Sequence, residues 1–133
     1  MYVNDMIATH PHVRGSTNDT LIRCIEECIA CAQACTACAD ACLGEEMVAD
    51  LTQCIRLDMD CADICTAAGK IASRRTGSNI DVILSTLQAC RLACLACAEE
   101  CERHARMHEH CAICAEACRS CARACREAFV SVH

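Results

Sequence analysis

Residues 24 to 42 read CIEECIACAQACTACADAC and hold six cysteines, at Cys24, Cys28, Cys31, Cys35, Cys38 and Cys42. Steps of four and three residues alternate along this run, which returns each thiol to one face of an α-helix. Twelve more cysteines follow: Cys54, Cys61 and Cys65, then Cys90, Cys94, Cys97 and Cys101, then Cys111, Cys114, Cys118, Cys121 and Cys125. A thiol is a small hydrophobe, a disulfide partner or a soft metal ligand. A purely structural core would favour Leu and Ile over small, oxidisable side chains. Within a helix, Cβ atoms three or four residues apart are separated by about 5–6 Å, whereas a disulfide wants about 3.5–4.5 Å. Metal suits the spacing better: two bonds of about 2.3 Å let one ion join sulfurs roughly 4–4.5 Å apart.

Charge selects the metal. A four-thiolate Zn²⁺ site leaves two negative charges in a dry core, and several such sites would each face a desolvation cost of several kcal/mol per charge. A monovalent soft ion with about one thiolate apiece is neutral, and thiolates select Cu(I). Multiple Cu(I) ions are therefore the first expectation, with a multi-zinc thiolate protein as the alternative. Iron–sulfur clusters need four ligands converging on each compact cluster, and these thiols extend along helices instead. A helical bundle without metal, with its cysteines as core or as redox sensors, is the rival from another class. An enzyme is disfavoured because nothing sets one thiol apart from its neighbours.

Elements that position the thiols follow from patterning. The chain has 133 residues, 54% hydrophobic and only 2% aromatic, with four glycines and one proline. Residues 1–17 read as a tail with a short helical turn, and 18–133 as one helical domain. A first helix, capped by Thr17 or Asn18, runs to Leu43 with Gly44 as its stop. A second starts at Glu45 and Glu46, where negative charge suits the first turn, and runs to about Arg75. A third, capped by Ser78 or Asn79, reaches about Ala105. The fourth spans His110 to Phe129 after a tight turn at 106–109, unless 79–129 is one long helix. The inward positions read Leu21 to Cys42; then Met47, Leu51, Cys54, Asp58, Cys61, Cys65, Ala68 and Ala72; then Ile80, Ile83, Leu87, Cys90 to Cys101 and His104; then Cys111 to Cys125 and Ala128. The fold class is all-α, an antiparallel up-down-up-down four-helix bundle with a Cys-lined core.

In that topology Met47, His104, Met107, His108 and His110 gather at one end, while Leu21, Ile80, Ile83, Leu87 and Phe129 form an apolar plug at the other. Thioethers and imidazoles at the first end would admit copper and pass it to the thiols; the alternative makes His108 and His110 ordinary loop histidines. Asp58 occupies a thiol position between Cys54 and Cys61. It is an oxygen ligand or a hydrogen-bond partner of thiols, unless the helix rotates and turns Leu57 or Met59 inward. His10, His12 and His133 read as solvated. The net charge of −6 opposes nucleic-acid binding. No apolar run approaches the roughly 20 residues needed to cross a bilayer, and MYVNDMIATHPH lacks the apolar run of a signal peptide. The expected compartment is therefore the cytoplasm.

Repeats such as Cys24-Cys28-Cys31 and Cys114-Cys118-Cys121 resemble the bacterial four-helix-bundle copper storage proteins over residues 18–129, in their cytosolic branch. The resemblance implies Cu(I) held by bridging thiolates, a homotetramer, the eighteen cysteines as ligands and His104 with its neighbours at the mouth. The short thiol stripe of the second helix departs from the full pattern.

Overall fold

Four long helices dominate the computed structural model, which describes residues 1–132; His133 lies outside the described residues. A short helix α1 (Val3–Ala8) precedes α2 (Asp19–Leu43), α3 (Thr52–Ser73), α4 (Ile80–His104) and α5 (Glu109–Val132). Ala-rich sequence without internal proline lets each long helix run six or seven turns. Asn18 is the cap of α2: its side chain accepts from the Leu21 N–H at 3.1 Å. Gly44 follows α2 as expected, yet its φ is −87°, so its position does not exploit left-handed freedom. Gly77 does, at φ +72°, where the chain reverses between α3 and α4.

The second thiol helix starts later than its charges suggest. Residues 44–47 form a turn, Val48–Leu51 a 3-10 turn, and the α-helix begins at Thr52. Glu45 is held outside that helix by partners across the bundle. Leu51 is buried from this turn, but Met47 is 58% exposed, so it leaves the inward series. Between α4 and α5 the chain turns at residues 105–108, with the Met107 N–H bonded to the His104 carbonyl, and one long helix is excluded.

Contacts join α2 to α3, α3 to α4, α4 to α5 and α5 back to α2, the closed ring of an up-down-up-down bundle. Its interior is built from the eighteen cysteines with Ala68, Ala72, Ala98 and Ala128, capped at one end by Leu21, Ile83 and Leu87. Phe129 is partly buried against that core. Ile80, expected in the same plug, is 48% exposed because it is the first residue of α4 and the helix has not yet entered the bundle. The tail is tied to this end: Ile7 is buried, and His10 Nε2 lies 3.1 Å from the Thr76 hydroxyl in the α3–α4 turn. His12 is exposed.

Candidate metal centre

All eighteen thiols are free and buried. Neighbouring sulfurs from facing helices lie between 3.5 Å (Cys35–Cys118) and 4.0 Å (Cys65–Cys121). Pairs four residues apart on one helix fall in the same range, at 3.8 Å for Cys31–Cys35 and Cys61–Cys65 and 3.9 Å for Cys97–Cys101. Two sulfurs on one ion at about 2.3 Å, subtending about 109–120°, sit about 3.8–4.0 Å apart. A disulfide would need about 2.05 Å. The sulfur array therefore has metal-bridging dimensions.

The thiols group into quartets whose sulfurs all lie within 4.8 Å of one another, and consecutive quartets share members. Cys121 belongs both with Cys28, Cys90 and Cys125 and with Cys31, Cys65 and Cys94. Cys31 recurs with Cys35, Cys61 and Cys118, and Cys35 and Cys118 recur with Cys97 and Cys114. A further quartet, Cys38, Cys42, Cys54 and Cys111, closes the opposite end from the plug. Sharing means that twelve cysteines serve the first four quartets. Four divalent ions against twelve thiolates would leave four uncompensated negative charges, whereas twelve monovalent ions would leave none. Burial pushes Cys42 up to about 11 and raises Cys111 as well. At neutral pH these thiols are protonated until a cation displaces the proton.

Asp58 points into this array. Its carboxylate is fully buried, while Met59 is 55% exposed, so the helix does not rotate to replace it. The Cys97, Cys114 and Cys101 thiols donate to its Oδ1 at 3.0, 3.3 and 3.4 Å. Oδ2 is buried without a partner among the described residues. Burial drives the carboxyl up to about 8, although the Cys97 hydrogen bond pulls the other way. Oδ2 is thus a buried polar atom that the described side chains leave unsatisfied, beside an Oδ1 that takes three thiols.

The histidines sit at the end opposite the apolar plug. His110 Nδ1 lies 3.4 Å from Cys38 Sγ and 3.7 Å from Cys111 Sγ. His108 and His110 stack with centroids 5.5 Å apart. Both reach Glu45 Oε2, at 2.7 Å from His108 Nδ1 and 2.9 Å from His110 Nε2, and these bonds hold the Glu45 carboxyl below its ordinary value, the His110 bond most. His104 Nε2 bonds Glu100 Oε2 at 2.9 Å, and Glu100 also takes Arg103 at 3.1 Å. Met107 is 74% exposed on the adjoining turn. Two carboxylates thus order the three histidines. Sequence patterning shows neither role: Glu45 reads as helix-start charge, and the one signal for Glu100 is its four-residue spacing to His104.

Comparison with known proteins adds identity to this geometry. The family model described as copper storage protein matches residues 17–130. Streptomyces lividans Ccsp, a copper storage protein solved with 10 copper equivalents, is 58% identical; the match covers 97% of this chain and 98% of that one with a TM-score of 0.93. The Cu(I)-bound copper storage protein BsCsp3 is 43% identical over 78% of this chain and 92% of its own, with a TM-score of 0.70. A Bacillus subtilis relative, the uncharacterized cysteine-rich protein YhjQ, is 45% identical over 88 residues, 66% of this chain and 76% of that protein. With the fold, the thiol array and these matches in agreement, the chain belongs to the copper storage protein family.

Proposed function

We propose that this chain is a cytoplasmic Cu(I) store, filled through its His/Met end and assembled as a homotetramer. The observation that carries the reading is the sharing of sulfurs between successive quartets. Shared thiolates bridge ions, and bridging brings capacity towards one Cu(I) per thiol. Storage is exchange rather than catalysis: each ion forms bonds to thiolate sulfur, and about one thiol proton leaves for solvent per ion bound. The proposed ligands are the eighteen cysteines, with Asp58 supplying an oxygen where Cys97, Cys101 and Cys114 converge on it. At the mouth, exposed Met47 and Met107 offer the first thioethers, and His104, His108 and His110 carry the ion to Cys38 and Cys111. The donor that delivers copper and the acceptor that takes it are left unassigned.

The compartment rests on likeness to a protein described as a cytosolic copper storage protein from Streptomyces lividans, 62% identical with a TM-score of 0.83. Helix α4 is long and apolar enough by length and composition to cross a membrane. Its thiols, however, face the bundle, and its outer face carries Val82, Ala89, Leu92 and Ala96 in exposed positions. A second copy would cover that face, which supports the oligomer; sedimentation of the apo-protein tests it, and a monomer at micromolar concentration would sink it.

Anaerobic titration with Cu(I) against a competing chelator tests the store. Uptake on the order of the cysteine count, with about one proton released per ion, is the expected result. Saturation at four or five equivalents would favour zinc-like sites. Stopped-flow uptake by a His104/His108/His110 triple alanine variant tests the mouth, and an unchanged rate would remove that role.

A further inference from the structure

Glu45 comes from the turn after α2, His108 from the turn before α5 and His110 from the first turn of α5. One oxygen, Glu45 Oε2, meets His108 through Nδ1 and His110 through Nε2. A carboxylate oxygen only accepts hydrogen bonds, so each of these nitrogens must carry the N–H. In a neutral ring the other nitrogen then holds the lone pair. The two histidines are thereby fixed in opposite tautomers: His108 presents Nε2, and His110 presents Nδ1. The latter is the atom 3.4 Å from Cys38 Sγ and 3.7 Å from Cys111 Sγ.

From this arrangement we infer that Glu45 is the positioning residue of the mouth, setting His108 and His110 in complementary tautomers so that His110 Nδ1 faces the first thiols as a ready ligand. The inference rests on the reading of the histidine end as the way in. Without Glu45 a neutral His110 ring is free to turn over and carry its proton on Nδ1, which would face Cys38 with an N–H instead of a lone pair. Glu45 acts through the rings, which it holds by their N–H groups, as carboxylates behind metal-binding histidines do. It also joins the α2–α3 turn to the first turn of α5, 65 residues on in the chain, across the rim of the bundle. Glu46, the neighbouring carboxylate, is exposed and makes no such contact among the described residues, which makes it the natural control.

The test is long-range ¹H–¹⁵N correlation of the imidazoles in reduced apo-protein, at a pH where they are neutral, alongside stopped-flow Cu(I) uptake. Wild type and Glu46→Ala should show His108 as the Nδ1–H form and His110 as the Nε2–H form. Glu45→Ala should lose the His108 Nδ1–H form and slow uptake by about 10–100-fold, the size that loss of an outer-shell partner has on metal affinity or activity, with the far-UV spectrum of the bundle retained. Unchanged tautomers in Glu45→Ala would overturn the inference. So would an unchanged uptake rate in that variant while the triple alanine variant is slow, and the histidine reading would survive. If the triple variant is also as fast as wild type, the histidine mouth itself fails and the inference with it.

Discussion

Asp58→Asn exchanges an ionisable group for a neutral one of nearly equal shape at the most enclosed polar position of the protein. In the unfolded chain this carboxyl titrates near its ordinary 3.8, and burial drives it up to about 8 in the fold. A folded value above the unfolded one means the native state binds the proton more tightly. Stability is then fully present below about pH 4 and falls as pH rises towards 8, where the buried group ionises. Each pH unit of that interval is worth 1.36 kcal/mol, so the loss across it is on the order of 5 kcal/mol. Small domains hold only about 5–15 kcal/mol in total. Empty protein at pH 8 should thus stand much closer to unfolding than at pH 4.5.

Urea unfolding of reduced apo-protein at several pH values between 4.5 and 8, with wild type and Asp58→Asn side by side, isolates the effect. Distant histidines and surface carboxylates act alike in both proteins and cancel in the difference. The variant carries a fixed offset, because its amide must find sulfur acceptors, but no slope from this position. Its stability relative to wild type should climb by roughly 1 kcal/mol per pH unit, somewhat less if the Cys97, Cys101 and Cys114 donors adjust to support the charge. A difference that stays flat across the range would refute the reasoning, since it would mean that burial leaves this carboxyl titrating as it does in water.

Two further perturbations separate the scaffold from the store. Leu87 is buried in the apolar plug, so Leu87→Ala should lower unfolding free energy by about 2–5 kcal/mol while Cu(I) capacity stays at the wild-type value; lost capacity in a folded variant would show the plug to be part of the store. Gly69 is buried in α3, yet a Cβ there would meet Cys28 Cβ and Ile29 Cγ1 at 3.8 Å, an ordinary contact. Gly69→Ala should therefore stabilise the apo-bundle by about 0.5–1 kcal/mol through helix propensity, measured by denaturant unfolding; destabilisation would show that α2 and α3 have no room for a methyl group.

How much could be read from residues alone depends on how each residue is determined. The thiol stripes were legible because helical period is a local property: once Cys24 to Cys42 repeat at three and four, the backbone alone puts them on one face, and four such stripes have one economical way to bury themselves. The helix start at Asn18 was legible for the same reason. The second helix began late because its start is decided across the bundle. Glu45 is drawn to two histidines more than sixty residues away, and a local rule about helix-start charge cannot register that pull. Met47 and Ile80 left the core because periodicity continues through a helix end, whereas burial does not. Asp58 was visible as an interruption, but its orphaned oxygen is a fact about three thiols on two other helices. Spacing therefore specifies which atoms face inward, and only the packed bundle specifies which of them find no hydrogen-bond partner among the described residues. The sulfur array announces itself in sequence, while Glu45, Glu100 and the partnerless oxygen of Asp58, the groups that would order how the array is filled, do not.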